Sequence, residues 1–246
     1  MRIALLSDIH ANLEALEACL AHARERGAES YALLGDFVGY GADAVAVVDI
    51  VMRLASEGAI ALKGNHDAAM ERVESYFNDD ARAALDWARR TLTDEQKRFL
   101  ATLPLTVERT PVRYVHASAA SPERWDYIDS ASAALRCVQA SGSTYTFCGH
   151  VHDQQLYFAT ARGRMSAFTP VAGTPVPVRG PRQWLGLVGS VGQPRDRNPA
   201  AAYAIFDDAK REITFFRVPY DHHSAAATIR RAGLPEALAY RVEQGI

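Results

Sequence analysis

The sequence predicts an α/β fold built on two packed sheets, and three observations carry that prediction. In the first third, short apolar runs alternate with amphipathic segments of helical period, the signature of βαβ units and a parallel sheet. In the last third the alternation gives way to closely spaced apolar runs separated by turn residues, as antiparallel strands require. No low-complexity segment or linker divides the two parts, so they are expected to share one core in a single domain over residues 1–246.

Ile3–Leu6 reads as a buried strand, and ANLEALEACLAHARERG follows with helical spacing, Asn12 capping its start and Gly27 past its end. YALLGD is a second strand, DAVAVVDIVMRLASEG a helix ending at Gly58, and AIALKG a third strand. Right-handed crossovers place these helices over one parallel sheet. From about Ala68 to Leu103 the pattern is helical, with Thr93 and Gln96 forming a capping box. RYVHAS returns to strand, a helix near Ser132–Ala140 precedes YTFCGHVH, and QLYFA, RMSAF, QWLGLVGSV, AAYAIF and EITFFRV read as antiparallel strands. PVAGTPVPVRGP, near Pro170–Pro181, reads as a rigid loop.

Lys and Arg number 27 against 29 Asp and Glu, a formal charge of −2, and no run of like charge is long enough for a nucleic-acid arm or a membrane patch. Binding of long nucleic acid through a broad basic face is therefore disfavoured. Cys19, Cys137 and Cys148 are odd in number and lack CxxC spacing, which argues against a disulfide framework and a thiolate zinc site and fits a reducing cytosol. MRIALLSD meets Asp8 after too few apolar residues for a signal-peptide core, and no apolar run is long enough to cross a bilayer. A soluble, cytoplasmic protein is expected.

Polar interruptions follow directly on the apolar runs: DIH at Asp8–His10, GDFVGYG at Gly35–Gly41, GNHD at Gly64–Asp67, His116 in RYVHAS, and GHVH at Gly149–His152. In an extended chain alternate side chains share a face, so Asp8 with His10, and His150 with His152, are expected to point together beyond a strand's carboxyl end. Open α/β sheets bind ligands there, and Asp36, Asn65, His66 and His116 stand at the same place after three other strands. Two Asp, one Asn and several imidazoles, with no thiolate, suit Mn, Fe, Co, Ni or Zn better than an all-oxygen Ca or Mg cage. Gly35, Gly64 and Gly149 each precede a proposed ligand and keep the strand exit free of side chains. Taken singly, Asp8 reads well as a helix cap, Asp67 as the cap of a helix from Ala68, His116 as a bonded core histidine, and His150 with His152 as a solvent-facing pair. Five interruptions in one order, each after a predicted strand, favour a shared site.

In that order of motifs the chain resembles the calcineurin-like metallophosphoesterase superfamily, and within it the bacterial phosphodiesterase-like branch that ends in a GSVGQPRD-type segment, here Gly189–Asp196. The resemblance spans nearly the full length. It implies a four-layer αββα sandwich of two mixed β-sheets flanked by helices, holding two divalent transition metal ions. One metal is implied on Asp8, His10, Asp36 and His152, the second on Asp36, Asn65, His116 and His150, with Asp36 bridging and catalytic His66 just outside the coordination sphere. Many relatives read GDxxDRG where this chain has GDFVGYG. Gly39 and Tyr40 thus replace an aspartate that orients the catalytic histidine and an arginine that grips phosphate. NPGSVG becomes LVGSVG, with Leu187 and Val188 replacing asparagine and proline and Gly189 and Ser190 kept for a backbone contribution.

The expected activity is dinuclear, metal-dependent hydrolysis of small phosphoesters, phosphodiesters above all, by a metal-bridging hydroxide with His66 as general acid. The helical segment at about 68–103 is expected to frame the active site. A phosphomonoesterase, a nuclease of the same superfamily and a non-catalytic metal-binding scaffold for protein interaction stay open as alternatives. Arg124 and Tyr127 receive no site role, and His222 with His223 reads as surface.

Overall fold

The structure is a computed structural model that describes residues 1–72, 74–160 and 162–246. In chain order its first half comprises β1 (Arg2–Leu6), α1 (Leu13–Glu25), β2 (Ser30–Leu33), α2 (Ala44–Ser56), β3 (Ile60–Ala61), α3 (Asn65–Ala68), α4 (Asp79–Thr91), α5 (Asp94–Thr102), β4 (Thr106–Arg109) and β5 (Val112–Val115). The second half comprises α6 (Ala131–Ser141), β6 (Tyr145–Cys148), β7 (Gln154–Ala159), β8 (Met165–Phe168), β9 (Pro175–Pro177), β10 (Trp184–Val188), β11 (Ala201–Asp207), β12 (Glu212–Val218), α7 (His222–Arg231) and α8 (Glu236–Gln244).

Two mixed six-stranded sheets stack between helices, the expected αββα sandwich. One runs β3-β2-β1-β11-β12-β9 and the other β4-β5-β6-β10-β7-β8. Period-two alternation divides each strand between layers. Ile3 and Leu5 of β1 face the space between the sheets, with Phe206, Phe215 and Phe147, whereas Ala4 and Leu6 face α1 and α2 with Leu16, Val47 and Val51. On the far side Leu185 and Leu187 of β10 pack with Ala134 and Val138 of α6. β1, β2 and β3 are mutually parallel, as are β5 and β6, so their carboxyl ends gather at one edge of the sandwich.

Three expectations are corrected, and three elements were not foreseen. The stretch from Ala68 to Leu103 is not one helical run. Turns occupy the described residues between α3 and α4, which starts where the Asn78 side chain accepts from Ala81 N–H at 2.9 Å, while Val73 lies outside the described residues. The Thr93–Gln96 capping box is present. β10 is not purely antiparallel: it inserts between β6, to which it is parallel, and β7, to which it is antiparallel. PVAGTPVPVRGP contains the short edge strand β9, where proline costs no ladder hydrogen bond on the open side. β4, α7 and α8 escaped the sequence reading; the first is short and half-exposed, and the two helices bury only short faces, Ala225, Ala226 and Ile229 on α7 and Leu238, Ala239 and Val242 on α8.

Candidate metal centre

All eight residues singled out in the sequence meet at the gathered strand ends, and all are buried. The local reason differs from the alternation expected. β1 ends at Leu6 and β6 at Cys148, and the ligand candidates beyond them turn into the left-handed region: φ is 53° at Asp8, 49° at His10, 56° at Asp36, 66° at His150 and 71° at His152. Such φ values cost a non-glycine residue roughly 1–3 kcal/mol each and persist only where surroundings over-determine them. Here the surroundings are backbone hydrogen bonds between loops. Asp8 N–H donates to Gly35 O at 3.0 Å, His10 N–H to Asp36 O at 2.9 Å, and Gly192 N–H to Asp8 O at 2.9 Å. The segment Gly189–Asp196 thus clamps the first loop, helped by Ser190 Oγ donating to Asp8 O at 2.8 Å.

Close approach explains the glycines. A Cβ on Gly64 would overlap the Asp36 carboxylate, and one on Gly149 would overlap Ser7 Oγ and Asp8 Oδ2. Asp67 does more than cap a helix. Its carboxylate accepts N–H groups from Asp36 (2.8 Å), Phe37 (2.9 Å) and Gly64 (2.9 Å), tying the loop after β2 to the loop after β3. Burial and the Asp36 charge push the Asp67 acid up to about 7 against the pull of those donors.

Three imidazoles share one arrangement. Nδ1 of His10 faces Val38 O at 3.2 Å, Nδ1 of His116 faces Leu34 O at 2.7 Å, and Nδ1 of His152 faces Gln193 O at 2.6 Å. With Nδ1–H spent on a carbonyl, each ring turns Nε2 to the cluster. Asp8 Oδ1 lies 3.3 Å from His152 Nε2, and Asp36 Oδ2 lies 3.7 Å from His10 Nε2 and 3.4 Å from His116 Nε2. Asn65 Oδ1 is 3.2 Å from His116 Nε2. Asp8 Oδ2 accepts the His150 N–H at 2.9 Å, joining the two sheets.

Burial acts to raise Asp8 and Asp36, yet His152 beside the first and His116 beside the second hold both acids below the usual carboxylate range. His116 moves the other way: burial opposes its charge, but Asp36 lifts it to about 9. Burial takes His10 well below its ordinary value and His150 down to about 3. The cluster therefore presents buried anions beside imidazoles, of which His10 and His150 are held neutral by burial, a donor set suited to a divalent cation. Two buried atoms fit the same need, since Asp8 Oδ1 and His150 Nε2 find no hydrogen-bond partner among the described residues. Three groups have donor atoms within 4.8 Å of one another: Asp8, His10 and His152; Asp36, His116 and His150; and His10, Asp36 and His66.

The sequence profile of the calcineurin-like phosphoesterase superfamily domain matches residues 1–211. The chain belongs to that superfamily. Calcineurin-like phosphoesterases are metal-dependent phosphoester hydrolases, in keeping with the cluster above. Similar to this member are an uncharacterised protein of Methanocaldococcus jannaschii, 33% identical over 99% of this chain and 98% of that one, and a metallophosphoesterase of Sphaerobacter thermophilus, whose crystal structure matches with 35% identity, full coverage of both chains and a TM-score of 0.89. A hypothetical protein of Pyrococcus horikoshii shares the fold at 20% identity and a TM-score of 0.81, over 100% of this chain and 98% of that one.

Two of the departures from the family pattern, Gly39 and Tyr40, sit against His66. A Cβ on Gly39 would overlap His66 Nδ1, so the glycine makes room where an aspartate was expected to orient the ring. Tyr40 lies between His10 and His66, 4.6 Å from each ring centre. The cleft above the cluster, a cavity of about 350 Å³, is lined by Tyr76 and Phe77 from the segment expected to frame the site, by Tyr127, which the sequence left without a role, and by Arg195 and Arg241, which sequence reasoning passed over. Tyr127 stacks on His150 at 4.2 Å, whereas Arg124 is exposed and faces Asp126 at 3.8 Å. Arg195 stood in a quoted motif, whereas Arg241 had no local signal. Among the described residues no helix is long and apolar enough to cross a membrane.

Proposed function

We propose that the protein is a dinuclear phosphodiesterase for small phosphodiesters, with Asp8, His10, Asp36 and His152 holding one divalent transition metal and Asp36, Asn65, His116 and His150 the other. His66 donates a proton to the leaving oxygen. The observation that carries this reading is the pair of triads with no residue in common, Asp8–His10–His152 and Asp36–His116–His150. Asp36 Oδ2 stands within 3.7 Å of an imidazole from each triad, which supports the bridging role. His66 also groups with His10 and Asp36, but a ligand imidazole is ordinarily oriented by a bond at its other nitrogen. His66 Nδ1 is buried without a partner among the described residues, unlike the anchored rings of His10, His116 and His152.

Bound divalent cations supply Lewis acidity toward the phosphoryl oxygens and an activated water. The chain does the rest. Val38, Leu34 and Gln193 carbonyls hold three Nε2 atoms toward the cluster, and Asp36 Oδ1, accepting the His66 N–H at 2.8 Å, fixes the backbone of the proton donor. In the substrate-free protein burial takes His66 down to about 4, with Asp36 opposing. A bound phosphoryl anion adds negative charge that favours the imidazolium. Tyr40, neutral beside His10 and His66, adds no positive charge of its own there, which fits a singly charged diester at the cluster. The cleft of about 350 Å³, bordered by Tyr76, Phe77 and Ala81, supports a small substrate framed by the segment before and within α4. Three buried, unpaired cysteines fit a reducing, cytoplasmic setting.

Elemental analysis and hydrolysis of bis(p-nitrophenyl) phosphate after metal removal and resupply test the reading. Two metals per chain and metal-dependent turnover are expected; absence of both would sink it.

A further inference from the structure

The cleft above the cluster carries two guanidinium groups without an ion-pair partner among the described residues. Arg195 and Arg241, both half-buried, line it from opposite ends of the C-terminal part of the chain. The acids beside them in sequence are taken by other arginines. Asp196 receives a two-point bond from Arg217, at 2.7 and 3.0 Å. Arg230 meets Glu236 at 2.6 Å and Glu243 at 2.7 Å.

Both arginines are held in place by the fold. Two residues before Arg195, Gln193 is fixed by its N–H to Ser190 Oγ at 2.8 Å and by its carbonyl at His152. Two residues after it, Arg197 N–H donates to Gly245 O at 2.7 Å, which ties the end of α8, and with it Arg241, to the same loop. Both guanidinium charges reach the Tyr40 phenol, which burial raises and they pull back. Tyr40 stands where the resemblance implies a phosphate-gripping arginine, so positive charge returns to this mouth from elements distant in sequence.

Two unpaired, partly desolvated guanidiniums facing one cleft call for an anion. A scissile diester carries a single negative charge and already faces the cluster. A terminal phosphate carries nearly two at neutral pH and matches the pair. We propose, resting on the phosphodiesterase reading above, that Arg195 and Arg241 form an anion subsite for a second, uncleaved phosphate, and that the substrates are small phosphodiesters bearing a terminal phosphate. Tyr76 and Tyr127, exposed at 57% and 53%, offer ring faces at the same mouth for the aromatic part of a nucleotide.

The dinucleotide ApA and its 5′-phosphorylated form pApA contain the same diester and differ only in the terminal phosphate. In metal-loaded wild-type protein kcat/KM for pApA should exceed that for ApA on the order of 10- to 100-fold, the worth of a hydrogen bond to a charged group. Arg195→Gln and Arg241→Gln should each shrink that ratio, and the double variant should bring it near one. Calorimetry on metal-stripped protein should show the same preference for pApA in the wild type and its loss in the double variant. A wild-type ratio near one, or a ratio that survives both substitutions, overturns the subsite; an equal loss for both dinucleotides would put the guanidiniums on the scissile group instead. If neither dinucleotide is hydrolysed but stripped wild-type protein still prefers pApA through these arginines, the subsite stands and the phosphodiesterase reading fails. No hydrolysis and no preference removes both.

Discussion

Gly39→Ala isolates how this chain positions His66 without the aspartate that the family resemblance implies there. Gly39 has φ +87°, and its missing Cβ leaves the space into which His66 Nδ1 projects. Alanine at that φ costs roughly 1–2 kcal/mol in backbone strain. The imidazole must also retreat by about 1 Å to reach ordinary contact distance. It cannot simply swing away, because Tyr40, His10 and Phe77 surround it with ring centres at 4.6, 4.8 and 4.9 Å. A 1 Å misplacement of a reacting group costs about 10²-fold. The expected outcome is a loss of that order in kcat for a diester with a poor alkoxide leaving group, with metal content unchanged and a Tm drop of roughly 2–8 °C. The assay pairs a nucleotide diester with bis(p-nitrophenyl) phosphate, in Gly39→Ala, His66→Ala and the double variant. If Gly39 acts only through His66, the double variant equals His66→Ala. Wild-type kcat in Gly39→Ala, or a further tenfold loss on adding it to His66→Ala, refutes the reasoning.

Other substitutions separate the remaining roles. His66→Ala should keep its metals and slow turnover by about 10²- to 10⁴-fold for an alkoxide leaving group but little for nitrophenolate, which departs unprotonated; an equal loss for both, or a lost metal, would make His66 a ligand. Asp36→Ala should harm both metal sites and His10→Ala chiefly one, read as stoichiometry by elemental analysis; two metals retained by Asp36→Ala rules out the bridge. Asp67→Ala leaves the buried N–H groups of Asp36, Phe37 and Gly64 without their acceptor. At about 1–3 kcal/mol per unmade bond that is at least about 3 kcal/mol, or roughly 6–12 °C in Tm. A thermal shift below about 3 °C would mean that Asp67 is only the helix cap its sequence position suggests.

Several features of the centre were legible because they are local. An apolar run that stops at Asp8, Asp36 or His150 announces a strand exit, and parallel strands bring such exits to one edge whatever the details between them. Asn12 and the Thr93–Gln96 pair cap the helices their spacing announced, since capping is settled within four residues. The turn geometry was not legible. Asp8 with His10, and His150 with His152, converge through left-handed backbone rather than strand alternation; the first pair is held by hydrogen bonds with Gly35, Asp36 and Gly192, and His150 N–H donates to Asp8 Oδ2, all between residues far apart in the chain.

The sequence by itself determined two packed sheets, the types of the candidate ligands and their order along the chain, because apolar period and strand-end chemistry are properties of consecutive residues. Tertiary structure alone decided what surrounds them. It made Asp67 a clamp between loops, let Gly39 receive His66, and set Arg195 and Arg241 over the cleft with their neighbouring acids engaged elsewhere. The physical reason is the same in each case: a hydrogen bond, a van der Waals overlap or an ion pair depends on distance in space, and no local pattern encodes which of many possible partners the packed sheets bring within reach.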